Sequence, residues 1–131
     1  MSALYLDSSA FVKLVVEETE STALRRFLAK GDARRVSSAL VRTESLRAVR
    51  HLGPDALATV RDGLRRVDLI VIDDRILDAA GSLEPQVLRT LDAIHLATAL
   101  AVGDDLEAIV TYDERMIDAA RFIGLSTVSP R

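Results

Sequence analysis

Four acidic residues, Asp7, Glu44, Asp92 and Asp113, lie far apart in the chain, each beside a short apolar run. Side chains this distant in sequence meet when a parallel sheet gathers strand and helix ends along one edge. Four carboxylates gathered there repel one another unless a cation neutralises them. Oxygen donors of this kind select a hard ion, Mg²⁺ or Mn²⁺. The chemistry such a centre supports is phosphodiester hydrolysis. That reaction needs an activated water, a neutralised pentavalent phosphate and a stabilised leaving oxygen, which two ions about 3.5–4 Å apart supply together. The set predicts a metal-dependent phosphodiester hydrolase. Without a cation, the mutual repulsion should raise at least one carboxylate pKa.

Each acid also has an ordinary reading. Asp7 or Asp92 would serve as a helix N-cap, although Ser8 and Ser9 compete for that role beside Asp7. Glu44 lies three residues before Arg47, a spacing that permits a weak surface ion pair. His95, three residues after Asp92, either touches a carboxylate or sits satisfied in the core. Ser9 and Thr111 each place a hydroxyl two residues from an acid, where it can orient a carboxylate or act as a plain turn or strand residue. Glu114 and Asp118 are spare acids that either support the site from outside or sit at solvated helix positions, Arg115 is a phosphate contact or a plain surface residue, and His51 reads as solvated.

The elements that must position these groups alternate along the chain. Ala3–Leu6 reads as a buried strand and Ala10–Val16 as a helix. Thr19–Lys30 is a helix with Ala23, Leu24, Phe27 and Leu28 on one face. Arg35–Ser38 is a strand, Ala39–His51 a helix carrying Glu44, and Asp55–Arg66 another helix after the Gly53-Pro54 break. Asp68–Ile72 is a strand; Asp73 or Asp74 caps a helix running to about Ser82, and Leu83–Arg89 is loop. Asp92–Val102 is a helix rich in alanine, Ala108–Thr111 a strand, Glu114–Ile123 a helix and Leu125–Val128 a short strand. This alternation predicts a parallel sheet with helices on both faces, and a site at the carboxyl ends of the strands.

The chain has 131 residues, a length that fits one domain, and 49% are hydrophobic with no tryptophan, so the core must be aliphatic. With no cysteine there is no disulfide framework, thiolate zinc site or cysteine nucleophile. No segment reads as a signal peptide or membrane span. A soluble cytoplasmic protein is the expectation. The net charge of −3 argues against a simple nucleic-acid binder. Its distribution is uneven, however: Arg25–Arg66 holds eleven Lys/Arg against four Asp/Glu, and the rest six against sixteen. A basic face that receives a polyanion and an acidic centre that cuts it is one reading; solvated helix faces are the other.

Four segments together carry a resemblance: YLDSSAFVKL at Tyr5–Leu14, RTESLRA at Arg42–Ala48, LDAIHLATAL at Leu91–Leu100 and VTYDERM at Val110–Met116. In this order and spacing the chain resembles PIN-domain ribonucleases, most closely the VapC-type toxins of bacterial toxin–antitoxin pairs. The resemblance spans nearly the whole chain and implies one PIN-like domain over residues 1–131, a three-layer α/β/α fold with a central parallel sheet. It implies an Mg²⁺- or Mn²⁺-dependent endoribonuclease whose acidic site comprises Asp7, Glu44, Asp92 and Asp113, supported by Ser9 and Thr111. It further implies a homodimer, an RNA substrate and a small VapB-type antitoxin that lays a segment across the acidic groove.

Two other readings compete. A phospho-acceptor receiver domain shares the size and alternation but needs an early acidic pair and a late lysine; Asp7 is followed by Ser8-Ser9, and the only lysines are Lys13 and Lys30. A catalytically silent PIN-like module would bind RNA or protein through Arg25, Arg26, Arg34, Arg35, Arg61, Arg65 and Arg66 alone.

Overall fold

The computed structural model describes residues 1–131. Five strands form one sheet: β1 (Ala3–Leu6), β2 (Arg34–Ser38), β3 (Asp68–Ile70), β4 (Leu106–Val110) and β5 (Thr127–Val128). Every pairing is parallel and the spatial order is β3-β2-β1-β4-β5. Seven α-helices connect them: α1 (Ser8–Val15), α2 (Ser21–Ala29), α3 (Leu40–Val49), α4 (Pro54–Leu64), α5 (Asp74–Gly81), α6 (Thr90–Val102) and α7 (Glu114–Phe122).

Alternation along β1 explains the three layers. Leu4 and Leu6 point to one face, where they join Phe11, Leu24, Val41, Val60 and Leu64 from α1–α4. Ala3 and Tyr5 point to the other, against Leu96 and Ala99 of α6 and Met116, Ala119 and Ala120 of α7. The two central strands, β1 and β4, are therefore apolar on both faces, as a doubly covered parallel sheet requires. Helix α6 buries seven consecutive residues, Ala93–Ala99, because α5 covers the side turned away from the sheet. A helix that is apolar all round needs such a double cover. It ends at Gly103, whose φ of 78° suits glycine. On the opposite layer α1 and α4 approach closely at Gly63, where an added Cβ would lie 2.6 Å from Val15 Cγ1.

Element boundaries differ from the sequence reading by at most two residues. The Asp68–Ile72 run pairs only to Ile70 and the Ala108–Thr111 run pairs from Leu106 to Val110, leaving Thr111 just beyond the strand. The Ala39–His51 helix is α only over Leu40–Val49; a 3₁₀ turn over Arg50–Leu52 finishes it. Helix α6 starts at Thr90, two residues before the expected start at Asp92.

The strand order decides where a site can form. The chain winds outward from β1 to β2 and β3, then returns to place β4 on the other side of β1. Connections leaving β1 and β4 thus diverge. A crevice opens between their carboxyl ends, where doubly wound sheets bind ligands.

Candidate active site

Asp7 leaves β1 at that crevice and is only 3% exposed. Its Oδ1 accepts hydrogen bonds from Ser9 Oγ at 2.6 Å and the Ala10 amide at 3.0 Å; its Oδ2 accepts one from Thr111 Oγ1 at 2.5 Å. Asp7 is therefore the N-cap of α1, the role expected of Ser8 or Ser9, and Ser9 instead bridges. Ser9 Oγ also accepts from the Tyr112 amide at 2.9 Å, which pins the loop after β4 to the start of α1. Thr111 Oγ1 accepts from the Asp113 amide at 3.1 Å, so one hydroxyl ties the first acid to the last. Burial pushes the Asp7 carboxyl above its ordinary pKa, against the opposing pull of Ser9, Thr111 and the Ala10 amide.

Glu44, Asp92 and Asp113 line one open cavity of about 380 Å³ together with Arg89, Thr90, Leu91 and Arg115. Each arrives on a different element. Glu44 comes from α3, about one turn past the start of the helix that follows β2. Asp92 lies in the first turn of α6, where the helix dipole favours a negative charge. It is not the N-cap: that position is Arg89, which makes no side-chain cap. Asp113 caps α7 through the Arg115 amide at 2.9 Å. Asp92 is raised above the ordinary carboxylate range, first by burial and then by the negative charge of Asp113, with Asp7 and Glu44 adding to it. The four acids thus share one electrostatic environment.

The ion pair that the spacing permits between Glu44 and Arg47 is not formed. Glu44 Oε1 instead lies 2.6 Å from His95 Nε2, and His95 Nδ1 lies 2.6 Å from the Tyr5 hydroxyl. His95 is 2% exposed, so both sequence readings of it hold: it is a satisfied core residue and it touches a carboxylate.

The donor set fits a hard cation. All the candidate ligand atoms are carboxylate oxygens, and Asp92 is raised first by burial and then by the charge of Asp113. No three Asp, Glu or His side chains converge closely enough to ligate one ion by themselves.

Two basic residues stand at the site: Arg115, which the sequence offered as a phosphate contact or a plain surface residue, and Arg89, which had no signal there. Arg89 and Arg115 border the acidic cavity and also line a neighbouring cleft of about 440 Å³ walled by Val87, Leu88 and Phe122. Conversely, much of the basic stretch Arg25–Arg66 lies elsewhere. Arg34 and Arg35 open β2, and Arg65 and Arg66 precede β3, at the amino ends of the strands and so at the far end of the sheet. Several of its members are spent on neighbours: Arg25 on Glu17, Arg34 on Asp68, Arg66 on Asp62. These members of the basic stretch therefore do not lead into the acidic centre, as the solvated-face reading has it.

Comparison with known proteins agrees with this architecture. The family model of the PIN domain matches residues 4–122. The chain is 53% identical over 130 residues to ribonuclease VapC46 of Mycobacterium tuberculosis, covering 99% of both chains. Its fold is similar to the crystal structure of VapC20 from M. tuberculosis, a sarcin–ricin loop cleaving toxin, with a TM-score of 0.77 and 16% identity over 98% of this chain and 100% of that one. It is also similar to a chain of a toxin–antitoxin complex from Klebsiella pneumoniae, with a TM-score of 0.75 and 21% identity over 99% and 98% of the two chains. A doubly wound sheet with acids gathered at its switch point, a family match over most of its length and a full-length relative at this identity lead to one conclusion: the chain belongs to the PIN-domain family.

Proposed function

We propose that this protein is a metal-dependent endoribonuclease acting as the toxin of a toxin–antitoxin pair. The observation that carries the reading is the gathering of Glu44, Asp92 and Asp113 around one cavity at the carboxyl edge of the sheet, with Asp7 tied to Asp113 through Thr111 and Asp92 raised first by burial and then by its acidic neighbours. The full-length likeness to a ribonuclease supports the choice of RNA.

Asp7, Glu44, Asp92 and Asp113 would hold Mg²⁺ or Mn²⁺, which when bound supplies neutralising charge and acidifies water. The protein's own groups do the rest. Ser9, the Ala10 amide and Thr111 keep the Asp7 carboxylate in one orientation. Arg89 and Arg115 hold the RNA phosphates that flank the scissile one, offsetting the repulsion between an acidic centre and a polyanion. Orientation of this kind accounts for a large part of such rate enhancements.

A VapB-type antitoxin is the proposed inhibitor; the similar fold in a toxin–antitoxin complex supports it. A basic side chain placed among the carboxylates would replace the cation's charge. A cytoplasmic homodimer is the accompanying proposal, which sedimentation of the free protein would test. No helix is long and apolar enough to cross a membrane. The silent-module reading predicts RNA affinity without cleavage.

The test is incubation of a mixed cellular RNA pool with the antitoxin-free protein in Mg²⁺ or Mn²⁺, with EDTA as control. Discrete fragments that vanish with EDTA are expected. RNA binding without cleavage or cation binding would favour the silent module.

A further inference from the structure

We propose that Tyr5 and His95 form a buried positioning relay that fixes the Glu44 carboxylate for cation and substrate, a role that rests on the nuclease reading above. Tyr5 is fully buried at the centre of β1, and its hydroxyl meets His95 Nδ1 at 2.6 Å. The two rings stand edge-on, at 79° with centroids 5.9 Å apart. His95 Nε2 meets Glu44 Oε1 at 2.6 Å. A carboxylate only accepts, so Nε2 carries the proton; in the neutral ring Nδ1 then accepts from the Tyr5 hydroxyl. The relay has one direction: Tyr5 donates to His95, and His95 donates to Glu44. Glu44 Oε2 makes no hydrogen bond within the chain. It is the oxygen left to the acidic cavity that Glu44 lines.

Stability alone does not call for this arrangement. His95 sits among Ile94, Leu96 and Ala97, all buried, and its own exposure is 2%. Burying a phenol and an imidazole in an aliphatic layer is costly unless each polar atom is paired, and apolar side chains of like volume would fill the space as well. The chain of three groups runs from the middle of the sheet to a single destination, a half-buried acid on a different helix. Outer partners of this kind set the orientation and basicity of a metal-binding side chain, and their loss typically costs about 10–100-fold in metal affinity or activity. Tyr5 and His95 are positioning residues: they act through Glu44 and touch neither cation nor RNA.

The experiment combines Mn²⁺ binding with imidazole ¹⁵N NMR on the full chain. The protein has only two histidines, and His51 is exposed, so the spectrum assigns readily. In the metal-free wild type, His95 is expected as a single Nε2–H tautomer with a slowly exchanging ring proton. His95→Leu should lower Mn²⁺ affinity about 10–100-fold. Tyr5→Phe, which removes one buried oxygen and leaves the ring in place, should act in the same direction by less. His95→Gln, which keeps an N–H donor for Glu44, should recover most of the loss. In a Glu44→Gln background, His95→Leu should have almost no further effect on Mn²⁺ affinity, because the relay has no other outlet. An Nδ1–H tautomer, ring shifts like those of exposed His51, or equal His95→Leu effects with and without Glu44 would overturn the relay while leaving the nuclease reading intact. A wild type that binds no Mn²⁺ and cuts no RNA would overturn both.

Discussion

Replacing Thr111 by valine removes one oxygen from the most constrained point of the site and leaves the side-chain shape unchanged. Thr111 is fully buried, and its hydroxyl donates to Asp7 Oδ2 while accepting from the Asp113 amide. A hydrogen bond to an ionised group contributes about 1.5–3 kcal/mol, and a neutral one about 0.5–1.5 kcal/mol. Asp7 keeps Ser9 and the Ala10 amide on its other oxygen, so the loss is confined to Oδ2. The expected cost is therefore about 2–3 kcal/mol while Asp7 is ionised and about 1 kcal/mol once it is protonated. The sign follows from the pKa. Thr111 lowers an Asp7 pKa that burial has already raised, so removing it raises that pKa further. Destabilisation should be greatest above the raised pKa and shrink as pH falls through it. Urea unfolding in EDTA over a pH series from 8 down through the acidic range measures both values. In an Asp7→Asn background the pH-dependent part should disappear. A cost that is the same across the whole series, or unchanged by Asp7→Asn, would refute the claim that Thr111 acts on the Asp7 carboxylate.

Further expectations follow from the same geometry. Asp7 and Asp92 both have folded pKa values above their unfolded ones, so their contribution is fully present below the ordinary carboxylate range and is lost as pH rises through the raised values. Melting in EDTA should therefore show a rise in stability on mild acidification from neutral pH, and added Mg²⁺ should stabilise more at pH 8 than at pH 5; a cation effect independent of pH would contradict this. Arg89→Ala and Arg115→Ala should each weaken RNA binding and reduce the salt slope by about one, read from fluorescence anisotropy with a cleavage-dead variant as host. Gly63→Ala, despite the better helix propensity of alanine, should destabilise by about 1–2 kcal/mol in chemical denaturation, because the new methyl meets Val15.

The parts of this molecule legible in the sequence are those written in local pattern. ALYL and DLIVI announce strands, and Asp7 and Asp113 stand where an apolar run gives way to a helix, so the strand-end placement of two acids follows from neighbours alone. Glu44 and Asp92 are different. Each lies within a helix, and what brings them to Asp7 is the strand order, which no local spacing encodes; only the joint pattern of four segments pointed there. The Glu44 partner illustrates the limit. A residue three positions away looked like the natural partner, and the actual one comes from fifty-one positions away on α6. Arg89 carried no signal because a loop arginine looks like ordinary surface, and for the same reason the sequence could not decide whether Arg115 is a phosphate contact or a plain helix residue. The misplaced start of α6 has a simple cause. Asp92 is a good capping residue, whereas Arg89, the actual cap position, contributes no side-chain bond and leaves no trace in composition.

The most direct test of the account is RNA cleavage by the wild type and by four variants, Asp7→Asn, Glu44→Gln, Asp92→Asn and Asp113→Asn, each checked for folding by circular dichroism. The account predicts Mg²⁺- or Mn²⁺-dependent fragments from the wild type, and loss of cleavage in every variant that remains folded. Wild-type cleavage that survives EDTA, or a full cleavage rate in folded Asp7→Asn or Asp92→Asn, would contradict it.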